Sequence, residues 1–200
     1  MNGYLLGTPQ RERSDAAHNR ELLLATVREI IDSEGVDAVT MDGLAERAGV
    51  GKGTVFRRFG SRAGIFDALL DADERSFQAR VLSGPPPLGP GADPVSRLIA
   101  YGEARIDMLL ENLEIARAAL GRTPTVPDSI AELTPVHVRA LLEAAGAPYH
   151  DLGALALQLT AALEATVLLY TPVASAAPEG ETSRGLRAAW RYLVDRVCDV

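Results

Sequence analysis

Two hundred residues, 47% hydrophobic and 24% charged, suffice for one large or two small domains with a buried core, so neither disulfides nor a metal is required for stability. The lone Cys198 excludes an intramolecular bridge and has no cysteine partner for a metal cluster, which fits a reducing cytoplasm. A net charge of −7 makes any basic cluster conspicuous, and no run approaches the roughly eighteen consecutive apolar residues of a membrane span, so no membrane partner is expected.

The start, MNGYLLGTPQRERSD, has an apolar patch before its charges, the reverse of a signal peptide, and residues 1–13 read as a flexible tail. Its Arg11 and Arg13 either touch a polyanion or belong to a disordered terminus. Ser14 or Asp15 can cap a first helix, along which Leu23, Val27, Ile30 and Ile31 follow helical spacing, and Gly35 is placed to end it. Thr40 caps a second helix over 41–48, and a third runs over 52–58 to Gly60. Leu44 and Ala48 give the second helix an inward face, Ala45 allows close crossing, and Gly49 sits where the turn requires positive φ. Val50 and Val55 complete the wedge, with Val55 and Phe59 read as core.

Ser61 caps a fourth helix over 62–82, and GPPPLGPG at 84–91 cannot be helical and marks a domain boundary. Asp93-Pro94 opens a helix over 94–111, with a continuation over 113–120 and a loop at 121–127. Thr134-Pro135 is expected to start a helix ending near Ala145, and Asp151 to cap a long apolar helix reaching Tyr170. After a loop at 171–182, a last helix over 183–198 shows Leu186, Ala189 or Trp190, Leu193 and Val197 as a stripe. No strand pattern and no internal repeat appears, so the fold should be all-α.

Residues 40–62, TMDGLAERAGVGKGTVFRRFGSR, therefore read as a helix-turn-helix. Arg47, Lys52, Arg57, Arg58 and Arg62 fall between Arg47 and Phe66 with no acid among them. Residues 1–62 hold nine basic and nine acidic groups, whereas 63–200 hold eleven against eighteen, so a basic edge is drawn to a polyanion while the remainder is repelled.

The motif resembles the tetracycline-repressor (TetR) family of bacterial transcription regulators. Thr40, Ala45, Ala48-Gly49-Val50, Lys52-Gly53-Thr54, Phe56, Arg57-Arg58, Phe59 and Ser61-Arg62 carry the resemblance, which covers roughly residues 14–80. Two positions depart from the family. Phe56 replaces a usual tyrosine and removes a phosphate-facing hydroxyl; Arg62 replaces a usual lysine, keeping the charge while adding a planar fork of donors. The resemblance implies an all-α protein with an N-terminal helix-turn-helix DNA-binding domain at 14–62, a connecting helix at 62–82, and a ligand-binding and dimerisation domain at 83–200.

Thr40, Lys52, Gly53, Thr54, Phe56, Arg57, Arg58 and Arg62 are the candidate contacts to double-stranded DNA. A helix N-terminus presents unpaired amides to phosphate, and a helix fits the major groove. Gly53 lets the backbone approach closely, whereas Gly51 serves either that end or a simple cap; each costs a helix about 1 kcal/mol relative to alanine. Phe56 either packs against sugar and phosphate or turns inward. Arg62, in a helix's first turn, opposes the helix dipole unless an anion lies nearby. A nucleotide loop is rejected, because Glu46 stands where its first glycine belongs and Gly53 replaces the Ser/Thr that would hold magnesium.

The helix at 151–170 is apolar nearly all round, with Ala154, Ala161 and Ala165 among Leu155, Leu159 and Leu163, and must be buried on most faces. With 183–198 it forms either half of a four-helix homodimer interface, as the resemblance implies, or an intramolecular core. The family also implies a pocket for an unidentified small-molecule effector between 94–120 and 135–170. Glu103, Arg105, Asp107, His137, Gln158 and Glu164 are its polar residues, each read as solvated or paired, and no ligand residue is named. His18, His137 and His150 lack metal-ligand spacing and no nucleophile turn is recognisable, so neither enzyme activity nor a cofactor is expected. The resulting expectation is a cytoplasmic, dimeric repressor released from a palindromic operator by a small molecule. Its alternatives are an activator, or a ligand-binding protein with a vestigial helix-turn-helix.

Overall fold

The computed structural model describes the backbone of residues 9–120, 128–170 and 180–199, with side chains described except at 9–18, 120, 128–132 and 170. Among these residues there are nine α-helices and no strand. The chain divides into two compact units, 1–69 and 70–200, and the division falls inside the fourth helix rather than at the GPPPLGPG loop.

In the N-terminal unit, α1 (Pro9–Glu34) begins ahead of the Ser14 or Asp15 cap read from the sequence. Proline suits the first helical position, and Gln10, Arg11, Glu12 and Arg13 are good helix formers, so the helix takes up residues assigned to the tail. Residues 1–8 of that tail lie outside the described residues, as do the side chains of Arg11 and Arg13. Leu23, Val27 and Ile30 lie on the buried face of α1, and a single 3-10 turn at Val36–Ala38 follows.

The next helices, α2 (Met41–Arg47) and α3 (Lys52–Phe59), pack against each other across a short turn. Gly49, at φ 66°, ends α2: its N–H donates to Glu46 O (3.2 Å), and that of Val50 to Ala45 O (3.0 Å). This paired closure satisfies the last carbonyls of a helix only when the intervening residue is left-handed. Leu44, Ala45, Val55 and Phe59 are buried as expected. The fourth helix, α4 (Arg62–Ser83), is capped by Ser61, whose Oγ accepts from Gly64 N at 3.1 Å. Its first turns bury Ile65, Phe66 and Leu69.

In the C-terminal unit, the later turns of α4 contribute Phe77 and Val81 to a core shared with α5 (Pro94–Glu111), α7 (Asp128–Ala145), α8 (Leu152–Ala165) and α9 (Glu181–Val197). The short α6 (Leu113–Leu120) follows α5. Asp93 and Asp151 cap α5 and α8 as read, accepting from Ser96 N and Ala154 N, both at 2.9 Å. Gly102 lets the Trp190 indole lie directly on α5, where Nε1 donates to Leu98 O (3.1 Å) and Ile99 O (3.2 Å).

Two sequence readings differ from the structure. Helix α7 starts at Asp128, not at Thr134-Pro135, so Pro135 stands inside it. Thr-Pro imitates a helix start, but the preceding Ile-Ala-Glu-Leu run is itself helix-forming. On α9 the buried stripe is Trp190 and Val194 flanked by Leu186 and Val197, while Leu193 and Ala189 are exposed. Positions three and four residues after Trp190 both lie on neighbouring parts of the helix surface, so the sequence spacing alone does not choose between Leu193 and Val194. Helix α8 reaches Tyr170 through a π-helical turn at Thr166–Tyr170, and within one chain one of its faces stays open. Leu157 is 61% exposed and Leu169 66%.

The segment Leu152–Leu169 has a mean hydropathy of 1.7, long and apolar enough by composition to cross a membrane. Its inward face nevertheless carries Glu164, which is ion-paired within the C-terminal core.

Candidate nucleic-acid interface

Thr40 initiates α2: its Oγ1 accepts from Gly43 N at 3.0 Å while the rest of the residue stays in extended backbone and is exposed. On α3, Val55 and Phe59 lie one turn apart on the buried face. Helical geometry then directs Gly53, Thr54 and Arg57 away from the core, with Phe56 and Arg58 on the flanks. Lys52, Gly53, Arg57 and Arg58 are exposed and Thr54 is half-buried. Phe56 is 52% exposed, so it turns outward rather than inward. A methyl group added at Gly53 would meet no atom within 4 Å, hence nothing within the chain requires glycine there.

The acids that meet these cations precede the basic run in sequence. Lys52 Nζ lies 2.7 Å from Asp42 on α2, and Arg47 pairs with Glu34 at the end of α1. Arg62 is half-buried. Its Nε donates to Val39 O (2.7 Å), its Nη2 to Val36 O (2.8 Å), and Asp37 lies at 3.6 Å. The guanidinium also stands over the Phe66 ring, 4.9 Å from its centroid. The planar fork noted in the sequence thus bridges two backbone carbonyls, and these lie near the cation at the helix start where an external anion was expected. Asp42, Glu34 and Asp37 were missed because only the turn brings them onto the cations.

Of the six polar residues singled out in the C-terminal unit, Gln158 is exposed and the other five are paired or in ring contact. Arg105, 2% exposed, is held between Glu74 and Glu164 (2.8 Å) and stands over the Phe77 ring. Glu103 pairs with Arg191 (2.7 Å) and Arg187, and Asp107 accepts from Ser183 (2.8 Å) and Arg187 (3.2 Å). The His137 ring meets that of Tyr101 at a tilt of 42° with centroids 4.8 Å apart, and burial, assisted by Arg97, lowers its pKa below the usual imidazole value. Burial likewise pushes the Tyr101 hydroxyl up to about 12. Glu74 escaped the sequence reading, although it sits in register with Leu70, Phe77 and Val81 on the apolar face of α4.

Residues 23–69 match the family described as bacterial regulatory proteins, tetR family. The N-terminal unit is thus similar to the tetR family over these residues. An HTH-type transcriptional regulator of Staphylococcus aureus (strain MRSA252) is 32% identical over 63 residues, 31% of this chain; that match spans only 33% of its own length. Among solved structures, a TetR-family transcriptional regulator from Pectobacterium atrosepticum superposes with a TM-score of 0.65 at 20% identity, over 92% of this chain and 94% of that one. A TetR protein variant from Acinetobacter baumannii AYE in complex with minocycline gives 0.56 at 22% identity, over 90% and 93%. The fold therefore agrees along nearly the whole chain, whereas sequence similarity is concentrated in the N-terminal unit.

Proposed function

We propose that this protein is a DNA-binding transcription regulator that grips a palindromic operator as a homodimer. One observation carries the reading: α3 buries Val55 and Phe59 and leaves Lys52, Gly53, Phe56, Arg57 and Arg58 outward, with open space over Gly53. A cationic helix with an apolar ring on its outer side and a glycine for close approach suits a groove wall and its phosphates. Thr40, at the start of α2, adds a hydroxyl and a helix N-terminus to that interface.

A second copy of the chain supplies the rest. The outer face of α8 exposes Ala154, Leu157, Ala161 and Leu169, and that of α9 exposes Ala189 and Leu193. Two-fold pairing through these faces buries apolar area at about 25 cal/mol per Å². A palindrome then offers two recognition helices half-sites about 34–36 Å apart, correcting the narrow reach of one short helix. Release by a small molecule held in the C-terminal unit completes the repressor reading and requires an effector that prefers the DNA-incompetent arrangement.

The test is gel retardation and fluorescence anisotropy with the intergenic duplex upstream of the protein's own coding sequence, against random-sequence competitor. Specific binding is expected, with Lys52→Ala weakening it across all sequences and flattening the salt dependence by about 1.8 in log K against log salt, about 0.9 for each of the dimer's two copies. Absence of salt-dependent binding to any duplex would refute the proposal.

A further inference from the structure

We infer that Arg62 is a positioning residue of the DNA interface: it fixes the turn that delivers Thr40 and α2, rather than holding a phosphate itself. The inference rests on the DNA-binding reading above and assigns one of its residues a different part. Arg62 opens α4, where a cation opposes the helix dipole. Its two donors nevertheless lie 2.7 and 2.8 Å from Val39 O and Val36 O, the carbonyls at either end of the short stretch between α1 and Thr40. Val39 is fully buried and directly precedes the Thr40 cap, so the fork sets the direction in which the chain enters α2. Phe66 beneath the guanidinium and Asp37 beside it hold the group in that plane.

The geometry needs a guanidinium. Two separate carbonyls are met by two nitrogens of one rigid plane, which a lysine ammonium on a flexible stem cannot reproduce. A phosphate contact has the opposite signature, because lysine serves a phosphate as a point charge. The two roles therefore differ in what lysine restores and in how many counterions binding releases.

The experiment compares wild type, Arg62→Ala and Arg62→Lys as full chains, using the upstream intergenic duplex and a random-sequence duplex over a salt series. Hydrogen exchange is followed at the amides of Val39 and Leu44, which donate to Val36 O and Thr40 O. Both variants are expected to bind about tenfold or more weakly, with the wild-type salt slope, and to exchange faster at both amides. Wild-type affinity in Arg62→Lys, together with a slope reduced by about 1.8 in Arg62→Ala, about 0.9 for each copy in the dimer, overturns the assignment. Unchanged affinity in both variants overturns it as well. If wild type itself shows no salt-dependent binding, the DNA reading fails, and the amides alone decide the clamp. Faster exchange in Arg62→Lys then upholds it and unchanged exchange overturns it.

Discussion

On α3, Arg57 stands in solvent above a helix that turns Val55 and Phe59 inward, whereas on α5 Arg105 is sealed between two carboxylates while Leu157 of α8 and Leu169 of its π-helical turn stand in solvent. The two units thus place charge and apolar area in opposite senses, and each placement has its own physical explanation. An exposed cation loses little hydration and remains available to a polyanion. A buried one must be matched on the spot, since desolvation of an unpaired ion costs several kcal/mol. Conversely, apolar area left in water on a helix as hydrophobic as α8 calls for cover from another molecule. The N-terminal unit reads as a surface for an anion, and the C-terminal unit as a self-contained core with one uncovered side.

The sharpest way to break this contrast is at the triad. Arg105→Met removes the guanidinium and strands Glu74 and Glu164 in the core, so stability of the C-terminal unit should fall by about 3–5 kcal/mol. Urea unfolding followed by the fluorescence of Trp190, the lone tryptophan, reports that unit directly. Adding Glu74→Gln and Glu164→Gln should restore much of the loss. A single variant as stable as wild type would mean that the buried charges are not matched as described.

Tyr101, from the same core, gives the next effect. Its pKa is about 12 when folded and 10.0 ordinarily, so the unfolded chain gives up the proton first. The contribution is present in full below pH 10 and is lost as pH rises through the folded value. That amounts to roughly 3 kcal/mol between pH 10 and 12 at about 1.4 kcal/mol per unit. An alkaline denaturation series should show this decline in wild type and a shallower one in Tyr101→Phe. Identical profiles would show that the hydroxyl ionises without hindrance from its surroundings.

The uncovered side is tested more gently. Leu157→Ala removes a leucine that is 61% exposed in one chain, so it should weaken self-association by about 2 kcal/mol per buried side chain while leaving the dilute chain's unfolding nearly unchanged. Sedimentation equilibrium separates the two. Association unaffected by the change would move the dimer contact elsewhere.

What the sequence disclosed divides along the same line. Caps at Thr40, Ser61, Asp93 and Asp151 and the turn at Gly49 were readable because each depends on three or four adjacent residues. On α3 the inward Val55 and Phe59 were readable from the sequence, whereas the side taken by Phe56 was not. What escaped needed distant parts of the chain: Glu74 meeting Arg105, Asp42 meeting Lys52, and Arg62 reaching back to Val36 and Val39. Pro135 escaped for another reason, since a proline within a helix and one at its start look alike until the preceding residues are known to be helical.

Gly49 offers the smallest and cleanest test of the N-terminal side. Its φ of 66° is a conformation L residues rarely adopt, yet an added Cβ would meet nothing within 4 Å. Gly49→Ala should therefore cost only backbone strain, about 1–2 kcal/mol, with no packing term. Gly49→Asn should cost less, because asparagine tolerates the left-handed region. Hydrogen exchange at Val50, whose amide closes the turn onto Ala45 O, measures the local loss in the same samples as global unfolding. Equal penalties for Ala and Asn, or a loss well above 2 kcal/mol, would place a steric neighbour over the turn and so deny α3 its open approach.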